Sequence, residues 1–254
     1  MAGTDNLDVS RVAIVTGASS GLGRACALRL SRDGLRVALL ARDAGDLSGV
    51  QRDIERGGGV AMSRPVDLAE ASEAQAAVDD VVSAWSRADV LVNAAGTDVP
   101  GSVEETTVED WDRVLGVNLR APFLLSRSVF PHMRDAGGGT IVNVSSVAGL
   151  RGWANAAAYC SSKFALTGFT QSLAAEGRSH GIRACVVYPG AMATSWGVWD
   201  PEGRHMADSE EEKPASEALP ADQVAQLIAW IVAAPPGLVL NQVTVTPLQE
   251  QGWP

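Results

Sequence analysis

Basic residues are scarce in this chain: 20 Lys and Arg stand against 30 Asp and Glu, for a net charge of −10. A broad nucleic-acid footprint needs clustered cations, so that class of partner is excluded. Cysteine is scarcer still. Cys26, Cys160 and Cys185 form neither a metal-spaced cluster nor an even disulfide framework, and Cys160 reads as a small apolar filler. The three histidines, His132, His180 and His205, show no metal spacing either, so no metal is expected. Long apolar runs are also missing. Stretches such as 227–234 are far too short to span a bilayer. The first eleven residues are polar and acidic, without the basic-then-apolar layout of a secretory signal. A cytoplasmic protein with no membrane partner is expected.

What is present is the composition of an ordinary globular protein, 254 residues with 46% hydrophobic and 20% charged, enough for a substantial core. Strand-like apolar runs alternate with helical patterns. The runs at 11–16, 36–41, 60–66, 89–93, 140–144, 182–188 and 239–245 read as seven strands. Helical spacing covers 21–33, 43–56, 69–85, 107–135 (interrupted at Pro122), 156–179 and 221–233. Repeated strand–helix–strand units predict an α/β fold: a doubly wound, Rossmann-type, mostly seven-stranded parallel sheet with helices on both faces. No second core is apparent, so residues 1–254 are expected to form a single domain. The segment 191–219 breaks the rhythm. It has no periodicity, carries Trp196 and Trp199 and an acidic cluster at 210–212, and is expected to be a substrate lid.

Two patterns carry chemistry. Between the first strand and the first helix stands Thr16-Gly17-Ala18-Ser19-Ser20-Gly21-Leu22-Gly23. Glycine here lets the backbone turn tightly and approach a pyrophosphate, while the helix N-terminus offers unpaired N–H groups. Taken alone, an ordinary glycine-rich strand–helix turn reads the same way. Further on, Tyr159 and Lys163 are four apart and share one helical face. A free phenol titrates near ~10; an adjacent ammonium would bring it down by roughly 1–3 units and make it a usable acid/base. Ser146, thirteen residues before Tyr159, ends the fifth strand, with Ser145 as the alternative serine.

With its Gly-x3-Gly-x-Gly spacing and these residues in order, the chain resembles the short-chain dehydrogenase/reductase family in its compact single-domain branch. The resemblance runs from Arg11 to Thr194 and more loosely to the end. It implies a catalytic tetrad of Asn118, Ser146, Tyr159 and Lys163. Ser146 would hydrogen-bond the substrate oxygen, Tyr159 would exchange its proton, Lys163 would also hold the nicotinamide ribose, and Asn118 would hold a water in a proton relay. For the cofactor it implies Gly17, Ser19, Ser20, Gly21, Leu22 and Gly23 at the phosphates, and Asp67 and Leu68 at the adenine. Asp67 reads equally as a helix N-cap. Asn93, Ala94 and Gly96 would face the adenosine, although Ala94 replaces the family's second Asn. Pro189, Gly190, Met192 and Thr194 would hold the nicotinamide carboxamide. At the end of the second strand Ala41 stands where NAD-preferring members carry Asp, and Arg42 can pair with a 2′-phosphate.

The function that follows is an NADP(H)-dependent oxidoreductase moving hydride between a nicotinamide and a ketone or secondary alcohol. An NAD(H)-preferring dehydrogenase and a non-catalytic dinucleotide sensor are the alternatives. The substrate is a small molecule that the residues do not name. By the resemblance, Trp153 and the segment 191–219 border its pocket, and Trp196 and Trp199 form apolar walls there or anchor the loop. The C-terminus departs from the family pattern, with Leu240-Asn241-Gln242 before the last strand and Trp253 in the tail. A homotetramer or homodimer is the expected assembly.

Overall fold

The first strand shows why two helical layers are needed. Ala13 and Val15 enter one core and Val12 and Ile14 another, all fully buried, as successive side chains on a strand covered from both sides must be. The computed structural model describes residues 11–194 and 218–250. Its strands are β1 (Val12–Thr16), β2 (Arg36–Ala41), β3 (Ala61–Pro65), β4 (Val90–Asn93), β5 (Gly139–Val144), β6 (Ile182–Pro189), β7 (Met192–Ala193), β8 (Leu219–Pro220) and β9 (Gln242–Val245). Seven of them form one parallel sheet in the order β3-β2-β1-β4-β5-β6-β9. β7 and β8 pair separately as a short parallel ribbon. This is the expected doubly wound α/β sheet.

The helices are α1 (Gly21–Arg32), α2 (Ala44–Arg56), α3 (Ala71–Trp85), α4 (Val108–Leu115), α5 (Ala121–Asp135), α6 (Ala157–Gly177) and α7 (Ala221–Ala233). Their apolar stripes recur every fourth residue. Leu22, Cys26 and Leu30 of α1 and Val224, Ile228 and Val232 of α7 pack with α2 on one face. Leu125, Val129 and Met133 of α5 pack with α3 and Leu173 of α6 on the other. Chain order reverses between β1 and β4, which opens a crevice at the carboxyl ends of those strands.

Two boundaries differ from expectation for local reasons. The carboxylate of Asp67 accepts from Ala69 N at 2.9 Å. That turn delays α3 to Ala71, with Glu70 at the N-cap position, so Asp67 does not cap the helix. The long stretch before β5 is not one helix kinked at Pro122. It passes through a single π-turn, Gly116–Arg120, where Ala121 N donates to Gly116 O, and Pro122 falls in the first turn of α5.

Candidate active site

The glycine turn is built so that side chains cannot enter it. Gly17 and Gly21 have φ of 64° and 48°, in the left-handed region. A Cβ on Gly17 would lie 2.9 Å from Ala95 Cα, and one on Gly23 would overlap the Gly17 carbonyl. Thr16 ties this turn to the next one: its Oγ1 accepts from Ala94 N and Ala95 N, each at 3.0 Å. Ser20 occupies the N-cap of α1 without a side-chain hydrogen bond, and the first turn holds no acid. An uncapped helix start beside a glycine cradle fits a diphosphate. Ser19 and Ser20 stand at its mouth, while the side chain of Leu22 is buried in the core.

At the end of β2, Arg42 is exposed, and among the described residues it has no hydrogen-bond or ion-pair partner. Asp43 accepts from Asp46 N at 2.7 Å and caps α2, which turns its carboxylate toward the helix. Asp67 is exposed at the neighbouring strand end, and its N–H donates to Glu73 at 2.9 Å. Leu68 is buried in the core, so its main chain is what it can offer a ligand. Asn93 turns its side chain inward. Its side chain is buried and donates to Asn143 Oδ1 at 2.8 Å, and Asn143 in turn donates to Thr170 Oγ1 at 2.8 Å. This network bonds β4 to β5 and α6 beneath the site instead of facing the crevice. Ala94 and Gly96 follow it at the surface of the crevice.

The proposed tetrad does converge. Tyr159 and Lys163 lie on α6, 8% and 4% exposed. Ser146 hydrogen-bonds the Tyr159 side chain and also accepts from Ala148 N at 3.2 Å, as the cap of the 3-10 turn Val147–Gly149. Ser145 is buried and donates instead to the Lys163 carbonyl at 3.3 Å, so the geometry singles out Ser146. Asn118 sits in the π-turn, buried. Its amide oxygen accepts from Thr97 N at 2.8 Å, and its Nδ2 donates to Thr97 O at 2.8 Å and to Ser162 Oγ at 3.1 Å. Ser162 donates to the Tyr159 carbonyl at 2.7 Å. The Asn118 side chain is thus tied to the loop and to α6. Its main-chain carbonyl lacks an α-helical donor, since Pro122 has no N–H.

The electrostatics of the Tyr159–Lys163 pair are dominated by burial, and the net shift of the phenol is upward. Lys163 Nζ donates to the Val144 carbonyl at 3.0 Å and stands 5.6 Å from the Tyr159 ring centroid. Burial pushes the phenol up, and the Ser146 hydrogen bond offsets this only in part. Burial pulls the Lys163 ammonium down to about 8, against the attraction of Asp98. Asp98 was not legible as a site residue. It is half-buried just after Gly96, accepts from Val99 N at 2.8 Å, and is pushed by burial up to about 6. Its signal in the sequence is an acid directly behind the Asn93–Gly96 motif.

The segment after β6 completes the ring of groups. Gly190 N donates to Val245 O at 2.8 Å, Ala191 N to Glu250 at 3.0 Å, and Thr194 N to Met192 O at 2.9 Å. Thr194 reaches the phosphate turn: a Cβ on Gly21 would meet its methyl at 3.5 Å. Pro189 to Thr194 and Gly17 to Gly23 thus line one crevice. Trp153 is exposed on the approach to Tyr159. Trp196, Trp199, His205, the 210–212 cluster and Trp253 lie outside the described residues. Among the described residues no group of His, Cys, Asp and Glu is placed to hold a metal ion, and no helix is long and apolar enough to cross a membrane.

A family model described as short chain dehydrogenase matches residues 11–200. The chain belongs to the short-chain dehydrogenase family. D-threitol dehydrogenase of Mycolicibacterium smegmatis is 37% identical over 192 residues, covering 75% of this chain and 74% of that one. The 2-(R)-hydroxypropyl-CoM dehydrogenase of Xanthobacter autotrophicus is 37% identical over 228 residues, covering 88% and 91%. A crystal structure of a metagenomic short-chain oxidoreductase in complex with NADP superposes with a TM-score of 0.80 at 35% identity, covering 94% and 97% of the two chains. This short-chain dehydrogenase is an oxidoreductase by family, and its crevice is the place where such a fold holds a dinucleotide.

Proposed function

We propose that the chain is an NADP(H)-dependent carbonyl reductase or alcohol dehydrogenase, with Tyr159 as the general acid/base. The observation that carries this reading is a buried phenol hydrogen-bonded to Ser146, one helical turn from a buried lysine, beside an uncapped glycine cradle. Bound across the crevice, the cofactor would supply hydride to a carbonyl carbon or accept it from an alcohol carbon.

The residues do the rest. Burial keeps the Tyr159 phenol protonated at neutral pH, which suits proton donation to a carbonyl oxygen that Ser146 also engages. Lys163 supplies the positive charge below it, and the Asn118 carbonyl offers a water its place in a relay toward solvent. The main chain of 17–23 would hold the diphosphate, Arg42 the 2′-phosphate, and the segment 189–194 the nicotinamide end. Support for NADP(H) over NAD(H) comes from Ala41 in the acidic position, from an exposed Arg42 and from the NADP complex of the metagenomic relative. Two relatives are named as dehydrogenases of hydroxyl compounds, which agrees with an alcohol or carbonyl substrate.

The reading includes a lid over 191–219, a cytoplasmic location and no nucleic-acid or membrane partner. It also includes a homotetramer or homodimer. Exposed Phe123 and Phe164 on α5 and α6, Trp230 on α7 and Val239 before β9 offer apolar surface for that assembly. A panel of ketones and secondary alcohols, followed by NADPH absorbance, tests the activity. Arg42→Asp should reverse the preference between NADPH and NADH. An unchanged preference removes the 2′-phosphate assignment, and no turnover across the panel with either cofactor removes the enzyme reading.

A further inference from the structure

Glu250 reaches back from the C-terminal stretch to the segment that leaves β6. Its Oε2 accepts from Ala191 N at 3.0 Å. A turn closed by Glu250 N donating to Pro247 O at 3.0 Å aims the side chain. Ala191 is gripped from the other side as well, since its carbonyl accepts from Leu219 N at 2.8 Å. The fit is tightest at Gly190. A Cβ there would overlap Glu250 Oε2 and lie 3.0 Å from Oε1, although the Gly190 backbone is not in the left-handed region. Glycine at 190 therefore makes room for a carboxylate 60 residues later in the chain, not for a turn.

The contact matters because Ala191 lies between β6 and β7, where no sheet ladder holds its N–H. A hydrogen bond to an ionised acceptor is among the stronger polar contacts. Beyond it, the same segment runs through Met192 to Thr194 and the phosphate turn.

We propose that Glu250 is a positioning residue whose carboxylate sets the backbone of 190–194 to receive the nicotinamide end of the cofactor. The assignment rests on the proposed function of that segment. Glu250 acts through Gly190 and Ala191 and does not touch the reacting atoms.

Calorimetric binding of NADPH and of 2′,5′-ADP, which carries the adenosine end and lacks the nicotinamide, tests this without turnover. Glu250→Ala should raise the Kd for NADPH about tenfold and leave that for 2′,5′-ADP unchanged. Glu250→Gln keeps an oxygen for Ala191 N and should restore most of the affinity. Gly190→Ala evicts the carboxylate, so it should reproduce Glu250→Ala, and the double variant should bind no more weakly than either. If the chain prefers NADH, the same comparison runs with NADH and ADP. Unchanged dinucleotide binding in Glu250→Ala, equal weakening of both ligands, or a Gln variant as weak as Ala would each overturn the assignment. A wild-type chain that takes up neither dinucleotide brings down the functional reading itself, and this assignment with it.

Discussion

Pro122 stands four residues beyond Asn118 and has no N–H to return to the Asn118 carbonyl, which an α-helix would pair. The π-turn and the proline together keep that carbonyl out of the ordinary ladder while the Asn118 side chain clamps Thr97. Pro122→Ala supplies the missing donor. Stability should stay within about 1 kcal/mol while kcat falls severalfold, read from urea unfolding and steady-state kinetics. Asn118→Ala should lose both activity and about 2–3 kcal/mol, because Thr97 and Ser162 are left with buried unpaired groups.

Replacing Tyr159 with Phe removes the proton donor and leaves the cradle intact. The expected result is a fall in kcat of about 10²-fold or more with NADPH affinity unchanged. The two neighbouring serines should separate cleanly. Ser146→Ala should lower kcat strongly, whereas Ser145→Ala, which loses only a bond to the Lys163 carbonyl, should cost about 1 kcal/mol of stability and little turnover. Equal kinetic effects of the two would contradict the geometry.

Lys163 is held against its own preference. Its folded pKa, about 8, lies below the ordinary 10.5, so the unfolded chain binds the proton more tightly and the buried ammonium costs stability at neutral pH. Lys163→Met should therefore raise stability at pH 7 by about 1–3 kcal/mol while abolishing turnover. The gain should shrink as pH rises through 8 toward 10.5, where the folded wild-type lysine is already neutral. Chemical denaturation at several pH values measures this, and a gain that grew with pH would refute it.

Asp98 holds the Lys163 proton in place by Coulomb attraction. Asp98→Asn should shift the lysine limb of the kcat/KM profile to lower pH, from about 8. The limb that Asp98 itself contributes near 6 should vanish. A profile identical to wild type would show that the two groups do not communicate.

Much of the architecture was readable because period determines burial. Apolar runs such as Val12 to Val15 read as strands covered on both faces, and the span of α7 follows from its apolar spacing alone. The site was readable where one local geometry demands one residue type. Gly17 and Gly23 are forced by close backbone approach, and Tyr159 and Lys163 by their helical spacing. The inward turn of the Asn93 side chain was not legible because motif position says nothing about which way a side chain turns at a strand end. The alternative reading of Asp67 as a cap fails because an Asx turn and an N-cap begin with the same residue.

The sequence by itself determined the order of strands and helices, the glycine cradle and the family tetrad, since these depend on spacings of a few residues along one element. Tertiary structure alone decided that burial raises the phenol, and that Asp98 and Glu250 join the site. Each of these depends on desolvation or on contacts between segments 59 or more residues apart, such as Ala191 with Glu250, or on the fold closing around Tyr159. Dielectric environment and long-range contact exist only once the chain has packed.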